Sequence, residues 1–253
     1  MDFTFKGQVV LVTGGASGIG RAIAEAFGRS GAHIVLTYFS SEETAQETVS
    51  TIETAGGKAL ALYADLTKED EVERVVAKTI ERFGGIDVLV ANSGGLLQRS
   101  KIVDCTRDLW DQAIAVNLTS TFMCCRAVLP YMERLGRGCI ITISSLAAHD
   151  GGGAGAAHYA AAKGGVLTFT RSLAKEVGPL GIRVNGIAPG LIATRFHDQF
   201  STAEGRQTTV DRTPLHREGV PQDVAGAALF LASSAASFIA GETIEVNGGQ
   251  GVF

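Results

Sequence analysis

The chain has 253 residues, a formal net charge of −4 and 45% hydrophobic residues, with 32 glycines and five prolines. That length suits one large α/β domain spanning 1–253 better than two small ones. The scattered lysines and arginines form no basic patch for nucleic acid or a membrane surface, and so few prolines argue against disorder or a stiff linker.

The opening residues, Met1-Asp2-Phe3-Thr4-Phe5-Lys6-Gly7, lack a basic n-region. The apolar run after them ends in a glycine turn, so it is expected to be a core strand and not a signal peptide. Apolar runs at 9–13, 33–37, 59–63, 88–91, 140–143, 183–187 and 243–246 read as strands. They alternate with helical stretches at 19–29, 42–54, 68–83, 109–134, 159–177 and 221–232. Most runs are apolar at nearly every residue, as parallel strands buried on both faces are. The alternation predicts a doubly wound, Rossmann-type α/β domain, with a seven-stranded parallel sheet and helices on both faces. Gly56-Gly57 and Gly84-Gly85 follow helical stretches, where a left-handed cap favours glycine. No apolar run approaches the ~20 residues that span a bilayer, and a cytoplasmic location is expected. Cys105, Cys124, Cys125 and Cys139 lack Cys-x-x-Cys spacing. They are expected to be reduced, small apolar core residues, and no metal is expected. The segment 195–219 is polar and weakly patterned and follows Pro189-Gly190, so it is expected to be a substrate lid.

Thr13-Gly14-Gly15-Ala16-Ser17-Gly18-Ile19-Gly20 follows the first strand and opens the first helix. Gly14, Gly18 and Gly20 suit a turn whose backbone N–H groups approach a pyrophosphate at a helix N-terminus. A glycine-rich connection without a ligand is the alternative. Asp65-Leu66, Asn92-Ser93-Gly94 and Pro189-Gly190 end later strands, at the edge where open α/β sheets bind ligands; ordinary turns would also use them.

Tyr159 and Lys163 stand one helical turn apart in His158-Tyr159-Ala160-Ala161-Ala162-Lys163, fourteen residues after Ser145. A phenol titrates near 10, so a general acid/base at neutral pH needs it lowered by roughly 3 units, or about 4 kcal/mol. A lysine on the same helix face favours the phenolate, though such a pair is also common on surfaces. Ser145 could hydrogen-bond a substrate oxygen as charge develops on it, or it could cap a helix. Asn117, mid-helix among apolar neighbours, must find partners, catalytic or structural.

Taken together these residues resemble the short-chain dehydrogenase/reductase family along nearly the whole chain. Its glycine motif matches Thr13 to Gly20, and its catalytic tetrad matches Asn117, Ser145, Tyr159 and Lys163. Its Asn-Asn-Ala-Gly turn appears as Ala91-Asn92-Ser93-Gly94, a departure at two positions. Pro189, Gly190 and Thr194 match its Pro-Gly motif, and Glu245-Val246-Asn247-Gly248-Gly249 resembles its last strand and turn. The resemblance implies an NAD(P)-dependent oxidoreductase with Tyr159 as acid/base. Lys163 then lowers the tyrosine's pKa and binds the nicotinamide ribose, Ser145 polarises the substrate oxygen, and Asn117 holds a water of a proton relay. It also implies cofactor contacts from Gly14, Ser17, Gly18, Ile19, Gly20, Tyr38, Ser40, Asp65, Leu66, Asn92, Ser93, Gly94, Tyr159, Lys163, Pro189, Gly190, Ile192 and Thr194.

The expected reaction is reduction of a ketone or 3-oxoacyl substrate, as in the 3-oxoacyl-carrier-protein reductase and small-ketone reductase branch. Oxidation of a polyol or sugar, or dinucleotide sensing without turnover, are the alternatives. The pocket is expected among Leu96, Leu97, the loop 151–155 and the lid. NADP(H) is expected to be favoured over NAD(H), because Tyr38 stands where NAD-preferring relatives place a carboxylate and Ser40 and Ser41 follow it. Helices apolar on two faces, with Phe122, Met123, Leu167 and Phe169, together with the family resemblance point to a homotetramer. The partner is a small carbonyl or alcohol, with no nucleic acid or membrane.

Overall fold

In the computed structural model, which describes residues 3–253, the seven apolar runs are strands. They are β1 (Val9–Val12), β2 (His33–Tyr38), β3 (Lys58–Tyr63), β4 (Val88–Ala91), β5 (Gly138–Ile143), β6 (Ile182–Pro189) and β7 (Thr243–Val246). All pair in parallel, in the order β3-β2-β1-β4-β5-β6-β7. Met1 and Asp2, part of the stretch expected not to be a signal peptide, lie outside the described residues.

Alternation along each strand sorts side chains into two layers. Val10, Val12, Ile34, Leu36, Val88, Val90 and Ile141 face helices α1 (Gly18–Arg29), α2 (Glu42–Thr54) and α10 (Pro221–Ala232). Leu11, Val35, Leu89 and Ile140 face the opposite way, onto α3 (Glu69–Phe83), α5 (Ser120–Leu135) and α7 (Ala157–Val177). Burial on both faces is the reason the runs read as continuous apolar stretches. Cys124, Cys125 and Cys139 are buried, and burial pushes the Cys124 thiol up to about 12 and that of Cys139 up to about 11. Gly56 and Gly84 take positive φ just past α2 and α3.

The stretch 109–134 is more complex than a single helix. It comprises α4 (Arg107–Ile114), a π-helical turn at Ala115–Thr119 and α5. A π turn inserts a residue and re-aims those around it, and Asn117 lies within this one. By length and composition alone the composite helix Arg107–Leu135 could cross a membrane, although charged residues interrupt its apolar run. Here it packs on α3, α7 and the central strands.

Three short helices are absent from the sequence-based outline. A short helix, α6 (Ala147–Asp150), follows Ser145. The weakly patterned segment 195–219 carries two of them, α8 (Arg195–Phe200) and α9 (Ala203–Arg212). Both are short and polar and bury none of their residues fully, so no apolar stripe marked them. The Thr202 hydroxyl caps α9 by accepting from the Gly205 N–H at 3.0 Å.

Candidate active site

The chain winds outward in opposite directions from β1 and β4, leaving a crevice beyond their carboxyl ends. Two side chains close the floor of that crevice. The Thr13 hydroxyl accepts from the Asn92 and Ser93 N–H groups at 2.9 and 3.0 Å. The Asn92 amide returns bonds to the carbonyls of Thr13 (2.9 Å) and Gly14 (3.3 Å). The turn is therefore held by the Thr13 and Asn92 side chains, and neither Ala91 nor Ser93 supplies a side-chain bond to it.

The glycine turn is shaped for close approach. Gly14 and Gly18 take φ of 62° and 53°, a region that disfavours residues with a Cβ. A Cβ on Gly20 would lie 2.2 Å from the Gly14 carbonyl oxygen, so the helix starts against the turn itself. The N-terminus of α1, twelve residues long, opens on the crevice, with the N–H groups and partial positive charge that suit a pyrophosphate. The cleft measures about 1040 Å³ and runs from Gly14, Ser17 and Tyr38 to Thr194. Every residue assigned above to the cofactor lines it. These residues fit a dinucleotide.

Sequence reasoning missed two residues at the end near Tyr38. Arg21 and Glu47 also line the cleft, joined by an ion pair at 3.3 Å, and Arg21 holds Glu25 at 2.8 Å. Glu47 approaches from α2, so a search for an acid at the end of β2 passes over it. Asp65 is turned into its own loop. The Thr67 hydroxyl donates to it at 2.6 Å and holds its carboxyl below the usual range.

In the middle of the cleft, β5 and α7 bring Ser145, Tyr159 and Lys163 together. Ser144 turns inward and donates to the Lys163 carbonyl at 2.9 Å, tying α7 to the end of β5. Ser145 faces the cleft, and its hydroxyl pulls the Tyr159 pKa down. Its oxygen also accepts from the Ala147 N–H at 3.1 Å, so it caps α6 as well. The Lys163 ammonium is buried at 3% exposure and donates to the Ile143 carbonyl at 2.8 Å. Burial pulls its pKa down to about 8. It sits 5.8 Å from the centroid of the Tyr159 ring.

The expectation that Lys163 depresses the phenol is not what the protein alone displays. Burial raises the Tyr159 pKa above 10, and the opposing pull comes from the Ser145 hydrogen bond. The Lys163 ammonium makes its hydrogen bond to the Ile143 carbonyl and not to the phenol.

Asn117 is fully buried and does not line the cleft. Its Oδ1 accepts from the Gly95 N–H at 2.9 Å, and its Nδ2 donates to the Gly95 and Ala113 carbonyls at 2.9 Å each. The side chain thus pins the loop after β4 to the π turn. Gly94 is required beside it, because a Cβ there would come within 2.5 Å of Asn117 Oδ1 and 3.1 Å of Lys163 Nζ.

Beyond Tyr159 the cleft is walled by Leu96, Leu97, Gly152, Leu191 and the face of α8 carrying Phe196 and His197. The Phe196 and Tyr159 ring centroids are 6.0 Å apart. Burial, reinforced by the charge on Arg206, holds the His197 imidazole down to about 4, so it is neutral at pH 7.

Residues 14–250 match the family described as enoyl-(acyl carrier protein) reductase. The chain is 40% identical to a 3-oxoacyl-[acyl-carrier-protein] reductase of Synechocystis sp., over 97% of this chain and 98% of that one. It is 40% identical to 3beta-hydroxysteroid dehydrogenase 1 of Eggerthella lenta, over 98% and 95%. A solved 7 alpha-hydroxysteroid dehydrogenase, complexed with NADH and 7-oxo glycochenodeoxycholic acid, superposes with a TM-score of 0.94 at 36% identity, covering 98% of this chain and 96% of that one. The chain belongs to the short-chain dehydrogenase/reductase family. It is an oxidoreductase that interconverts carbonyl and alcohol groups with a nicotinamide cofactor.

Proposed function

We propose that this short-chain dehydrogenase/reductase is a cytoplasmic, NADPH-preferring reductase of ketones, with Tyr159 as its proton donor. The observation that carries this reading is the convergence of Ser145, Tyr159 and Lys163 on one point of a dinucleotide-sized cleft. The apolar wall of Leu96, Leu97, Leu191 and Phe196 favours a ketone with hydrocarbon around it over a polyol. The two curated relatives act, by their names, on 3-oxoacyl and 3β-hydroxysteroid substrates, which have that character.

When bound, the nicotinamide supplies the hydride. The glycine turn, Asn92 and the loop after β6 would hold the dinucleotide, and Lys163 would hold its ribose. Ser145 donates a hydrogen bond to the substrate oxygen as negative charge grows there. Tyr159 then passes its proton to that oxygen. A phenol raised by burial is protonated at neutral pH, the correct state for a donor in the reductive direction. Asn117 acts through the loop it pins and is a positioning residue for Gly94 and Lys163.

Replacing Tyr159 with Phe removes the proton and keeps the shape. Turnover should fall by roughly 1000-fold or more, with cofactor binding nearly intact. Retention of more than about a tenth of wild-type turnover would show that another group is the acid. In the wild type, kcat/KM for reduction should decline as pH rises through about 8, where the Lys163 ammonium is lost.

Cofactor choice rests on Tyr38. No carboxylate ends β2, so nothing on that strand repels a 2′-phosphate. Ser40, Ser41 and the N-terminus of α2, thirteen residues long, offer hydroxyl and N–H donors. Arg21 is close by but neutralised by Glu25 and Glu47, so the preference should be modest, about 10-fold or about 1.4 kcal/mol. Tyr38→Asp should reverse it. The check is kcat/KM with each cofactor on one substrate; a wild-type preference for NADH would be the contrary result.

The segment 195–219 is proposed as the lid over the substrate end. Its amides should gain hydrogen-exchange protection when cofactor and substrate are both bound, and equal protection with and without them would count against a lid.

The assembly proposed is a homotetramer built partly on α5 and α7. There Phe122 is exposed at 41% beside Phe169, with ring centroids 6.3 Å apart. Light scattering at micromolar concentration should give four times the chain mass, and a monomer would exclude it.

A further inference from the structure

The far end of the cleft holds a cation that the mechanism above does not use. Arg99 lies at the open mouth and bridges its two sides. Its Nε donates to the Phe200 carbonyl at 2.9 Å, and its Nη1 donates to the Ala154 carbonyl at 2.8 Å. Phe200 ends α8, where carbonyls lack intrahelical partners, and Ala154 lies in the loop 151–155. The glycines of that loop make room for the arginine. A Cβ on Gly153 would stand 3.2 Å from Arg99 Nη1, and one on Gly155 would stand 3.2 Å from Arg99 Cβ.

A guanidinium carries five N–H donors, and these two bonds use two of them. Among the described residues no carboxylate comes within ion-pair distance of Arg99. Arg206, which also lines the cleft, differs: Glu218 and Asp198 neutralise it at 2.5 Å each. The Asp150 carboxylate on the same rim accepts from the Gly152 N–H at 2.7 Å. His197 between them is neutral, and the charge on Arg99 is among the causes. The result is a fork fixed by backbone at both sides of the mouth, with its remaining donors unclaimed by protein.

We propose that Arg99 binds a carboxylate at the end of the substrate remote from the reacting carbonyl. This rests on the carbonyl-reductase reading and narrows its substrate class. The geometry sets the length. Phe196 lies 6.0 Å from Tyr159, and Phe200, which Arg99 grips, is one helical turn further on, about 6 Å along the axis. With α8 taken to lead away from Tyr159, the carboxylate is placed on the order of 10 Å from the reacting carbon, in a cleft that Leu96, Leu97, Leu191 and Phe196 also line. The ligand is a medium-length oxo acid with a hydrocarbon middle, and Arg99 is the residue that distinguishes it from a neutral ketone.

The test compares 10-oxoundecanoate with its methyl ester, using NADPH and the full-length enzyme. The readout is the acid-to-ester ratio of kcat/KM, which a loss of lid geometry common to both substrates leaves untouched. Wild type should favour the acid by about 10-fold or more. Arg99→Gln should bring the ratio near unity, and Arg99→Lys, which keeps charge without the fork, should fall between. The short acid 4-oxopentanoate, whose carboxylate stops well short of Arg99, should show no preference over its own ester. Equal rates for acid and ester in the wild type, or a ratio unchanged in Arg99→Gln, would overturn the proposal. If both long substrates fail while small neutral ketones are reduced, the proposal falls alone. If no carbonyl compound is reduced with either cofactor, the reductase reading falls and takes the proposal with it.

Discussion

The parallel pairing of β1 with β4 is the constraint on which the rest of this structure depends. Strands before β4 wind outward on one side of β1, and strands after it wind outward on the other. Connections on the two sides therefore diverge, and the crevice between them has no backbone to fill it. At that point the chain must satisfy strand-end polar groups without closing the gap. Thr13 and Asn92 do so, through bonds between residues nearly eighty positions apart. The glycine turn can then fold over β1 at the start of α1, with its N–H groups aimed outward. Cofactor binding is thus a consequence of sheet topology, and the side chains refine it.

The same economy governs the proposed catalytic group. Burying Lys163 disfavours its charged form by about 3 kcal/mol, from the fall in its pKa to about 8. The bond to the Ile143 carbonyl, at the end of β5, partly offsets that and fixes where the ammonium sits. Ser144 holds the helix that carries the lysine, and Asn117 holds the loop that faces it. At pH 7 the ammonium is still mostly protonated, yet it lies close enough to its titration point to respond to a neighbour. The phenol beside it is displaced in the opposite direction by the same burial. Low polarity thus drives the two pKa values apart from their ordinary values of about 10.4 and 10, and only something that lowers the phenol can bring them back together. In the protein by itself, Ser145 is the group doing so.

How much of this could be read in advance follows from which forces leave a local mark. Strands buried on both faces need uninterrupted apolar residues, so the runs at 33–37 and 88–91 declared themselves, and the sheet follows from their alternation with helices. The glycine turn and the Tyr159–Lys163 spacing are local geometry and were equally visible. The π turn at Ala115–Thr119 was not, because one extra residue in a helix leaves the apolar period nearly intact. Nor was the partner of Asn117, since Gly95 reaches it from another loop. Pairings such as Arg21 with Glu47 depend on how α1 packs against α2. The lysine's effect on the tyrosine was inferred from spacing alone, and burial, a property of the whole fold, proved the larger influence.

The substrate end obeys different physics from the cofactor end. Around Lys163 the walls are sheet ends and long helices, buried and bonded across the domain. The segment 195–219 is built from two short polar helices held by exposed or half-exposed ion pairs, Arg206 with Asp198 and Glu218, and Arg217 with Asp223. Surface pairs of this kind contribute about 0–1 kcal/mol each, so they add little to the hold on the segment, which backbone bonds from Gly219 to Leu191 and from Leu215 to Gly248 also tie to the domain. Phe196 meets Tyr159 at the centre of the site, with ring centroids 6.0 Å apart. A change of substrate needs only new side chains on this wall, whereas a change of reaction would need Tyr159, Lys163 and their supports to move together. Relatives at similar identity carry names with different substrates, and the segment 195–219 that walls this end of the cleft is where the sequence pattern is weakest.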